Sequence, residues 1–305
     1  MPEPADRDRL LAHLHALIGE RHPLTSPVHL HRAEAYLADT FASLGWQVST
    51  HPFEALGGTY RNVIASLLPT RRTQGRGNGT PAAPLLLAAH YDTVEGSPGA
   101  DDNASALAAL LEVARRLRGV DRTREIHCIG FCLEEEGLLG SLAYAAQLKA
   151  ARQEITGAIV LECVGYASER EGSQTMPPGT PLTVPTVGNF LAIVGNTAST
   201  ALTAAVEAAA SPHVPAVSLV IPGKGEFLPD TRRSDHAAFW HYEFPAVMLT
   251  DTANFRNPHY HRPTDTLDTL NLAFLEKVAT GVTAAATRLA GGGTDEERTG
   301  RTDGP

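Results

Sequence analysis

The stretch "LLLAAHYDTVEGSPGADDNASALAALL" covers residues 85–111 and contains the sharpest change of pattern in the chain. It begins with an apolar run that ends in His90, places Asp92 two residues later, and reaches Asp101 and Asp102 before an amphipathic segment. A short apolar run followed by a helical pattern is typical of an α/β fold. Adjacent carboxylates repel each other unless a positive charge lies close to them. The stretch therefore predicts a buried strand that leads into a site for a cation.

Three further apolar runs have the same character: "IHCIGFCLE" (126–134), "GAIVLECVGY" (157–166) and "PAVMLTDT" (245–252). Nearly continuous apolar runs of this length are typical of parallel strands that are covered on both faces. Residues 46–53 and 62–68 also have strand patterns. We therefore expect one globular α/β domain with a largely parallel, mixed central sheet and helices on both faces.

The domain is expected to occupy residues 1–290, with a helical segment, 1–45, packed on it. Two long irregular segments, 172–186 and 221–234, are typical of the rims or lids of functional sites. The Gly-rich and charged tail 291–305 has no apolar pattern. We expect this tail to be disordered.

Charge and hydropathy exclude some partners. The 305 residues carry a formal net charge of −9, and Lys and Arg are scattered rather than clustered, so nucleic acid is not expected as a partner. The N-terminus lacks a secretory signal pattern, and no apolar stretch approaches the roughly 18 residues of a membrane span. We expect a soluble, cytoplasmic protein that does not bind membranes, and the oligomeric state is left open.

Polar residues follow the apolar runs at the points where the predicted strands end. His90 ends the first run, Glu134, Glu135 and Glu136 end the second, and Glu162 lies near the end of the third. The segment "NPHYHRPTDT" follows the fourth run. Because ligands of open α/β sheets bind outside the carboxyl ends of the strands, we expect these groups to converge there.

Each signal has an ordinary structural explanation when it is taken alone. A strand-end histidine is often a hydrogen-bonded structural residue, paired aspartates stabilise a helix start, and "EEEGLLGS" fits a solvated loop. Glu162 is harder to explain, because it interrupts a buried run where a carboxylate needs compensation. A centre with two metal ions explains all four signals together.

The donor types indicate which metal would bind. Imidazole and carboxylate groups without thiolates suit Zn²⁺, with Co²⁺ or Mn²⁺ as other candidates. Two neighbouring cations need a bridging carboxylate, and a further carboxylate that does not bind metal can take a proton from water.

The motifs "HYDT", "GADDNAS", "EEEGLLGS", "SDHAAFW" and "NPHYHRPTDT" occur in this order. In this respect the chain resembles the two-zinc aminopeptidases of metallopeptidase family 28, over most of its length from about Leu10 to Leu289. The resemblance implies that His90, Asp101 and Glu162 hold one zinc ion. It implies that Asp101 bridges to a second zinc ion, which Glu135 and His261 complete.

The resemblance also implies roles for residues that do not bind metal. Glu134 would be the general base, and Tyr260 would polarise the scissile carbonyl. Asp92 would orient His90, and Asp235 would support the wall of the substrate pocket.

The run of three glutamates leaves the register open by one residue. In the family pattern, one residue separates the ligand glutamate from "GLLGS". This spacing assigns Glu135 as the ligand and Glu136 as the intervening residue.

The favoured function is an aminopeptidase that removes N-terminal residues from peptides or small amides by attack of a metal-bridging hydroxide. Glu134 and Glu162 would attract the substrate ammonium group. A carboxypeptidase or amide deacylase on the same scaffold is the alternative, since Arg232, Arg233 or Arg256 could reach a substrate carboxylate.

Two other functions are less favoured. A glutaminyl cyclase would use one zinc ion, whereas this chain carries a donor set for two. A non-catalytic binding module would be expected to have lost ligands, which this chain retains. The side-chain preference of the enzyme is left open by the sequence.

Overall fold

The computed structural model of the protein describes residues 6–71, 82–176 and 185–291. The helices are α1 (Arg7–Leu17), α2 (Pro27–Ser43), α3 (Ala106–Leu117), α4 (Leu139–Ala150), α5 (Thr200–Ala210), α6 (His236–His241) and α7 (Leu272–Leu289). The strands are β1 (Gln47–Ala55), β2 (Gly58–Leu67), β3 (Leu85–His90), β4 (Ile126–Phe131), β5 (Gly157–Glu162), β6 (Leu191–Asn196), β7 (Ala216–Ile221) and β8 (Ala246–Thr250).

The strands form one eight-stranded sheet in the order β1-β2-β4-β3-β5-β8-β6-β7. The four central strands β4, β3, β5 and β8 are parallel, whereas β2 runs antiparallel to β4 and β6 runs antiparallel to β8. The expected single α/β domain with a mixed, largely parallel sheet is confirmed.

Strand β3 shows why the central strands have continuous apolar sequences. Leu85, Leu87 and Ala89 pack into a large core with α1, α2, α3, α5 and α7. Leu86 and Ala88 face a smaller core that includes side chains of α4 and α6. Both faces of the strand are therefore covered, and the sequence lacks the alternation that is typical of a half-exposed strand.

The outer parts of the sheet differ more from the expectation. The segments expected at 46–53 and 62–68 form the antiparallel hairpin of β1 and β2, with wider bounds. Strands β6 and β7 were not predicted, and most residues of β7 are only partly buried. Residues 292–305, which hold nearly all of the tail expected to be disordered, lie outside the described residues.

Because β3, β4 and β5 are parallel, their carboxyl ends lie at one edge of the sheet. An irregular turn, Ala100–Ser105, follows β3 and leads into α3 at this edge. No helix in the described ranges is both long and apolar enough to cross a lipid bilayer.

Candidate metal centre and adjoining pocket

The irregular turn after β3 brings a buried carboxylate to the edge of the sheet. Its backbone leaves helical φ/ψ values at Asp102, with φ −104° and ψ 89°. The turn starts after Gly99, whose φ is 63° and where a Cβ atom would clash with the Asp102 carbonyl oxygen. The Asp265 carboxylate accepts hydrogen bonds from the backbone N–H groups of Asp101 (2.9 Å) and Asp102 (3.1 Å). The direction of this turn is therefore fixed by backbone contacts.

The Asp102 carboxylate lies between two imidazoles. Its Oδ1 is 3.2 Å from His90 Nε2, and its Oδ2 is 3.0 Å from His261 Nε2. His90 Nε2 also lies 3.3 Å from Glu162 Oε2, and His261 Nε2 lies 3.3 Å from Glu135 Oε2. The arrangement forms two groups of one imidazole and two carboxylates, which share Asp102.

The structure does not bring Asp101 into this arrangement. Asp101 Oδ1 accepts hydrogen bonds from the Gly165 N–H (2.8 Å) and the Ser105 hydroxyl (3.1 Å). Its Oδ2 accepts a hydrogen bond from the Asn257 amide at 2.7 Å. The expectation that Asp101 is the bridging carboxylate is therefore corrected by one residue, because the irregular turn points Asp102 at the imidazoles and Asp101 into the protein.

The three glutamates after β4 point in different directions. The Asp92 carboxylate accepts hydrogen bonds from the N–H groups of Glu134 and Glu135, both at 3.1 Å, and so holds this backbone next to β3. Glu136 turns away, and its Oε1 lies 3.2 Å from His22 Nε2. The structure places Glu135 beside the imidazole of His261, as the chosen register requires.

Glu134 lies beside His90 and Glu162. A carboxylate oxygen of Glu134, a ring nitrogen of His90 and a carboxylate oxygen of Glu162 lie within 4.8 Å of one another. Asp92 supports His90, whose Nδ1 is 3.2 Å from the Asp92 carbonyl oxygen and 3.6 Å from its Oδ1. We call the six converging side chains the acidic cluster: His90, Asp102, Glu134, Glu135, Glu162 and His261.

Charge repulsion and burial shift the proton affinities in the acidic cluster. Burial raises the pKa of Glu134 well above its usual range, and the neighbouring Glu162 adds to the shift. Burial also raises the pKa of Glu135 to about 8, with a further contribution from Asp102. For His261 burial favours the neutral form, but Asp102 and Glu135 outweigh it and raise the pKa to about 10. The cluster therefore has a strong affinity for positive charge.

The unpaired atoms of the cluster fit metal coordination. His90 Nε2, both carboxylate oxygens of Asp102 and Glu135 Oε1 are buried and make no contact with hydrogen-bond geometry among the described residues, although Asp102 lies within ion-pair distance of both imidazoles. Buried polar atoms without partners are costly unless they bind a ligand. A set of imidazole nitrogens and carboxylate oxygens in this arrangement has the chemistry of a site for a divalent cation.

The "SDHAAFW" segment lies beside the cluster. The Ser234 hydroxyl donates a hydrogen bond to Glu162 Oε2 at 2.8 Å. Asp235 is fully buried, and burial raises its pKa to about 7. His236 contacts the Thr231 carbonyl oxygen at 2.8 Å instead of a carboxylate of the cluster. Ser234 therefore makes the contact with Glu162, and the role expected for Asp235 stays a prediction.

Tyr260 lines a pocket that Glu162 of the cluster also lines. Its ring stacks on His261, with centroids 3.8 Å apart and an angle of 17° between the planes. The Arg233 guanidinium donates a hydrogen bond to the Tyr260 hydroxyl oxygen at 3.1 Å.

An apolar pocket of about 370 Å³ adjoins the acidic cluster, with Glu162 and Tyr260 in its lining. Arg233 and the exposed ring of Phe227 also lie along it. Most of its remaining lining is apolar and comes from β6, β7, β8 and nearby loops: Met176, Phe190, Val194, Val217, Leu219, Leu228, Met248 and Phe255. The pocket can receive an apolar side chain of a ligand whose polar part lies at the cluster.

The model of Peptidase family M28 matches residues 62–286, which is more than half of the chain and includes every residue of the acidic cluster. The chain belongs to peptidase family M28. It is therefore a member of a family of metallopeptidases, which are hydrolases, and the resemblance seen in the sequence is confirmed.

Other proteins are similar to this family M28 chain. The uncharacterized protein YfbL of Escherichia coli (strain K12) is 33% identical over 271 residues, which cover 83% of this chain and 79% of YfbL. Leucine aminopeptidase 1 of Arthroderma otae is 27% identical over 233 residues, which cover 70% of this chain but only 56% of that protein. The chain thus spans about half the length of this fungal relative.

Solved structures share the M28 fold. An aminopeptidase from Aneurinibacillus sp. strain AM-1 matches with a TM-score of 0.71 and 18% identity, covering 95% of both chains. A glutaminyl cyclase from Fimbriiglobus ruber matches with a TM-score of 0.66 and 20% identity, covering 94% of this chain and 96% of that one. At these identities the likeness concerns the fold alone.

One residue that shapes the acidic cluster was missed although its motif had been noticed. Asp265 is the only carboxylate in "NPHYHRPTDT", and it fixes the turn that carries Asp102. A second missed residue, Arg21, lies outside the part of the chain that matches the family. Its buried guanidinium donates to the carbonyl oxygens of Leu17, Gly19, Tyr91, Pro98 and Gly99. These long-range contacts have no signature in the sequence.

Proposed function

We propose that this chain is an aminopeptidase that binds two divalent metal ions and removes N-terminal residues from peptides. One ion would be held by His90, Asp102 and Glu162, and the other by Asp102, Glu135 and His261. The observation that carries the proposal is the position of Asp102, whose two oxygens face two different imidazoles at 3.2 and 3.0 Å. A carboxylate in this position can serve two cations at once.

The donor set supports zinc as the metal. It combines imidazole and carboxylate groups, so Zn²⁺ is the first candidate and Co²⁺ or Mn²⁺ the alternatives. The nearby Cys163 thiol donates a hydrogen bond to Glu162 Oε1, and burial raises the pKa of this thiol well above its usual value, which disfavours the thiolate. When bound, two such ions would supply Lewis acidity that activates water and polarises the substrate carbonyl.

Glu134 is the residue that we assign to proton transfer. In amide hydrolysis a water oxygen bonds to the carbonyl carbon, the C–N bond breaks, and a proton passes from the water to the leaving nitrogen. Glu134 is buried beside His90 and Glu162. It belongs to neither of the two sets of side chains that share Asp102, so its carboxylate is not assigned to a metal ion. It would accept the proton from water and return it to the nitrogen.

Substrate orientation follows from the charge of the site. The Glu162 carboxylate faces the pocket and is fixed by the Ser234 hydroxyl. Together with Glu134 it would attract the ammonium group of a free N-terminus, which supports an aminopeptidase rather than a deacylase. Tyr260, which stacks on His261, would donate a hydrogen bond to the carbonyl oxygen, where negative charge develops.

The apolar pocket supports a preference for bulky apolar N-terminal residues. Val194, Met248 and Phe255 are among the residues that line it, and Glu162 of the acidic cluster lines it as well. A leucine or phenylalanine side chain would bury its apolar surface there, whereas alanine would leave most of the pocket unfilled.

The alternatives left open by the sequence differ in structural support. Arg256 is buried, donates to Gln174 at 2.9 Å and lies 4.6 Å from the centre of the Phe190 ring, so it is engaged within the protein. Of the three arginines considered for a carboxypeptidase, Arg233 is the one that lines the pocket beside Tyr260.

The experiment is a panel of substrates with the metal-reconstituted protein. Leucine amide and a leucyl peptide with a blocked C-terminus should be hydrolysed, whereas N-acetyl-leucine amide should not. Equal hydrolysis of the acetylated amide would favour a deacylase, and a need for a free C-terminal carboxylate would favour a carboxypeptidase. Release of ammonia with ring closure from glutaminyl peptides, without hydrolysis of leucine amide, would indicate a cyclase.

A further inference from the structure

Arg233 has contacts that concern the chemistry of Tyr260. It follows the short turn Pro229–Arg232 at the rim of the pocket. Besides the 3.1 Å hydrogen bond to Tyr260, its guanidinium donates to Asn254 Oδ1 at 2.8 Å and lies 3.4 Å from Asp230 Oδ1. Arg233 is therefore held by groups from two loops while it contacts the phenol.

The direction of the hydrogen bond follows from the chemistry of the two groups. A guanidinium carries only N–H donors and has no acceptor atom. The Tyr260 oxygen must therefore accept the hydrogen bond from Arg233, and the hydrogen of the phenol stays available for another acceptor. Among the described residues, the phenol has no other hydrogen-bond partner than Arg233.

The ring of Tyr260 is fixed by other contacts. It stacks on His261 at 3.8 Å, and the central carbon of the Arg233 guanidinium lies 5.5 Å from the ring centroid. With the ring held, the bond from Arg233 occupies one side of the phenol oxygen and leaves the O–H to point elsewhere. The Tyr260 O–H could then donate to a carboxylate oxygen of the cluster or to the carbonyl oxygen of a bound substrate.

We propose that Arg233 is a positioning residue: by donating to the Tyr260 oxygen, it leaves the Tyr260 O–H to donate to the scissile carbonyl oxygen. The proposal rests on the proposed function, in which Tyr260 contacts that oxygen. By accepting from Arg233, the phenol becomes a stronger donor, because hydrogen bonds in a chain polarise one another.

The proposal distinguishes Arg233 from its neighbour Arg232. Arg232 lines a separate surface groove with side chains of α4 and α6 and does not line the apolar pocket. Arg232→Met is therefore a matched control, since it removes the same charge from the adjacent position of the same loop. The Arg233 side chain is 40% exposed, so its substitution should leave the fold intact.

The test is a double-mutant cycle with Arg233→Met and Tyr260→Phe, in which kcat and KM are measured with leucine amide. Metal content is measured for each variant. Tyr260→Phe should lower kcat by about 100-fold, as expected for the loss of a donor to a developing oxyanion. Arg233→Met should lower kcat about tenfold with little change in KM, and it should have no further effect when Tyr260 is already phenylalanine. Arg233→Lys should recover part of the activity, and Arg232→Met should match the wild type.

Each contrary outcome overturns a defined part of the account. If Tyr260→Phe has a large effect but the two effects multiply, Arg233 does not act through Tyr260 and this inference is wrong while the proposed function stands. If Tyr260→Phe has no effect, the role of Tyr260 in the proposed function fails, and the inference fails with it. If Arg233→Met raises KM only for substrates with a free carboxylate and leaves kcat unchanged, Arg233 is a carboxylate-binding residue and the inference is overturned.

Discussion

The acidic cluster and the apolar pocket lie side by side, but they are built in different ways. The cluster stands mainly at the carboxyl ends of β3, β4 and β5, where backbone N–H groups bonded to Asp92 and Asp265 fix the chain. The pocket is formed by side chains of β6, β7 and β8 and by loops, one of which carries Phe227 with 85% of its surface exposed.

This difference indicates how the two regions should respond to substitution. A few polar atoms at fixed positions decide what the cluster can do, so one altered atom should have a large effect. The pocket acts through its shape, which many apolar side chains share, so its substitutions should give graded changes in substrate preference.

The largest effect is expected from Glu134→Gln within the cluster. Glutamine has the shape of glutamate but cannot accept the proton, so kcat should fall by about 10²–10⁴-fold while metal content and fold are kept. The measurement is kcat with leucine amide, together with elemental analysis. Glu136→Gln is the matched control, because Glu136 faces His22 instead of the cluster, and it should retain most activity. More than a tenth of wild-type activity in Glu134→Gln would contradict the assigned role.

The next largest effect is expected on the free energy of unfolding, from substitution of the buried Arg21. Arg21→Met removes a buried guanidinium and takes the observed donor from three carbonyl oxygens, those of Leu17, Gly19 and Tyr91. The carbonyl oxygens of Pro98 and Gly99 also lose a bond but keep the N–H groups of Gly19 and Ala104 as donors. We expect the free energy of unfolding to fall by about 3 kcal/mol or more, since each of the three buried unsatisfied oxygens costs about 1–3 kcal/mol. Denaturant unfolding measures the change, with Arg32→Met on the exposed surface of α2 as the control. Equal stabilities of the two variants would show that the contacts of the Arg21 guanidinium do not stabilise the fold.

A smaller effect is expected on the pH dependence of stability, through His236. This residue contacts the carbonyl oxygen of Thr231, which lines the pocket. Burial lowers the pKa of His236 to about 4. The unfolded chain binds this proton near its ordinary pKa of about 6.5. The unfolded state therefore binds more protons between these values, and the stability from the neutral imidazole is complete above pH 6.5 and is lost as the pH falls toward 4. The neutral His236 imidazole therefore contributes about 3 kcal/mol at most to the free energy of unfolding.

Urea unfolding of the wild type and of His236→Gln at pH 7.5 and 4.5 measures this contribution. Because both proteins carry the same acidic cluster, its own titration cancels in the comparison. The wild type should lose more stability than the variant over this range. The same loss in both proteins would mean that His236 does not take part.

The smallest effect is expected in the pocket. Val217→Phe should fill part of the cavity and lower the ratio of kcat/KM for leucine amide to that for alanine amide by about tenfold. Val220→Phe is the matched control, since Val220 lies on the same strand but does not line the pocket. If both variants keep the wild-type ratio, the pocket does not receive the N-terminal side chain.

The two regions also differ in how well the sequence predicted them. The runs that form β3, β4, β5 and β8 were recognised because both faces of each strand are buried, which makes the sequence continuously apolar. Strands β6 and β7, which supply much of the pocket, escaped notice. β7 is largely half-exposed, and its sequence lacks a strong pattern.

Within the cluster, sequence reasoning identified most of the converging side chains but chose Asp101 over Asp102. Both residues are buried aspartates in the same motif. Only the backbone of the irregular turn decides which one faces the imidazoles, and that backbone depends on Asp265, more than 160 residues away. The contact between Arg233 and Tyr260 is long-range in the same sense. Such pairings depend on the folded chain and leave no local pattern in the sequence.

The central claim is that Asp102 serves two metal ions at once, and elemental analysis after chelation and reconstitution with zinc tests it most directly. The account predicts two ions per chain in the wild type and in Asp101→Asn, and at most one in Asp102→Asn. Fewer than one ion in the wild type, or two ions retained by Asp102→Asn, would contradict it.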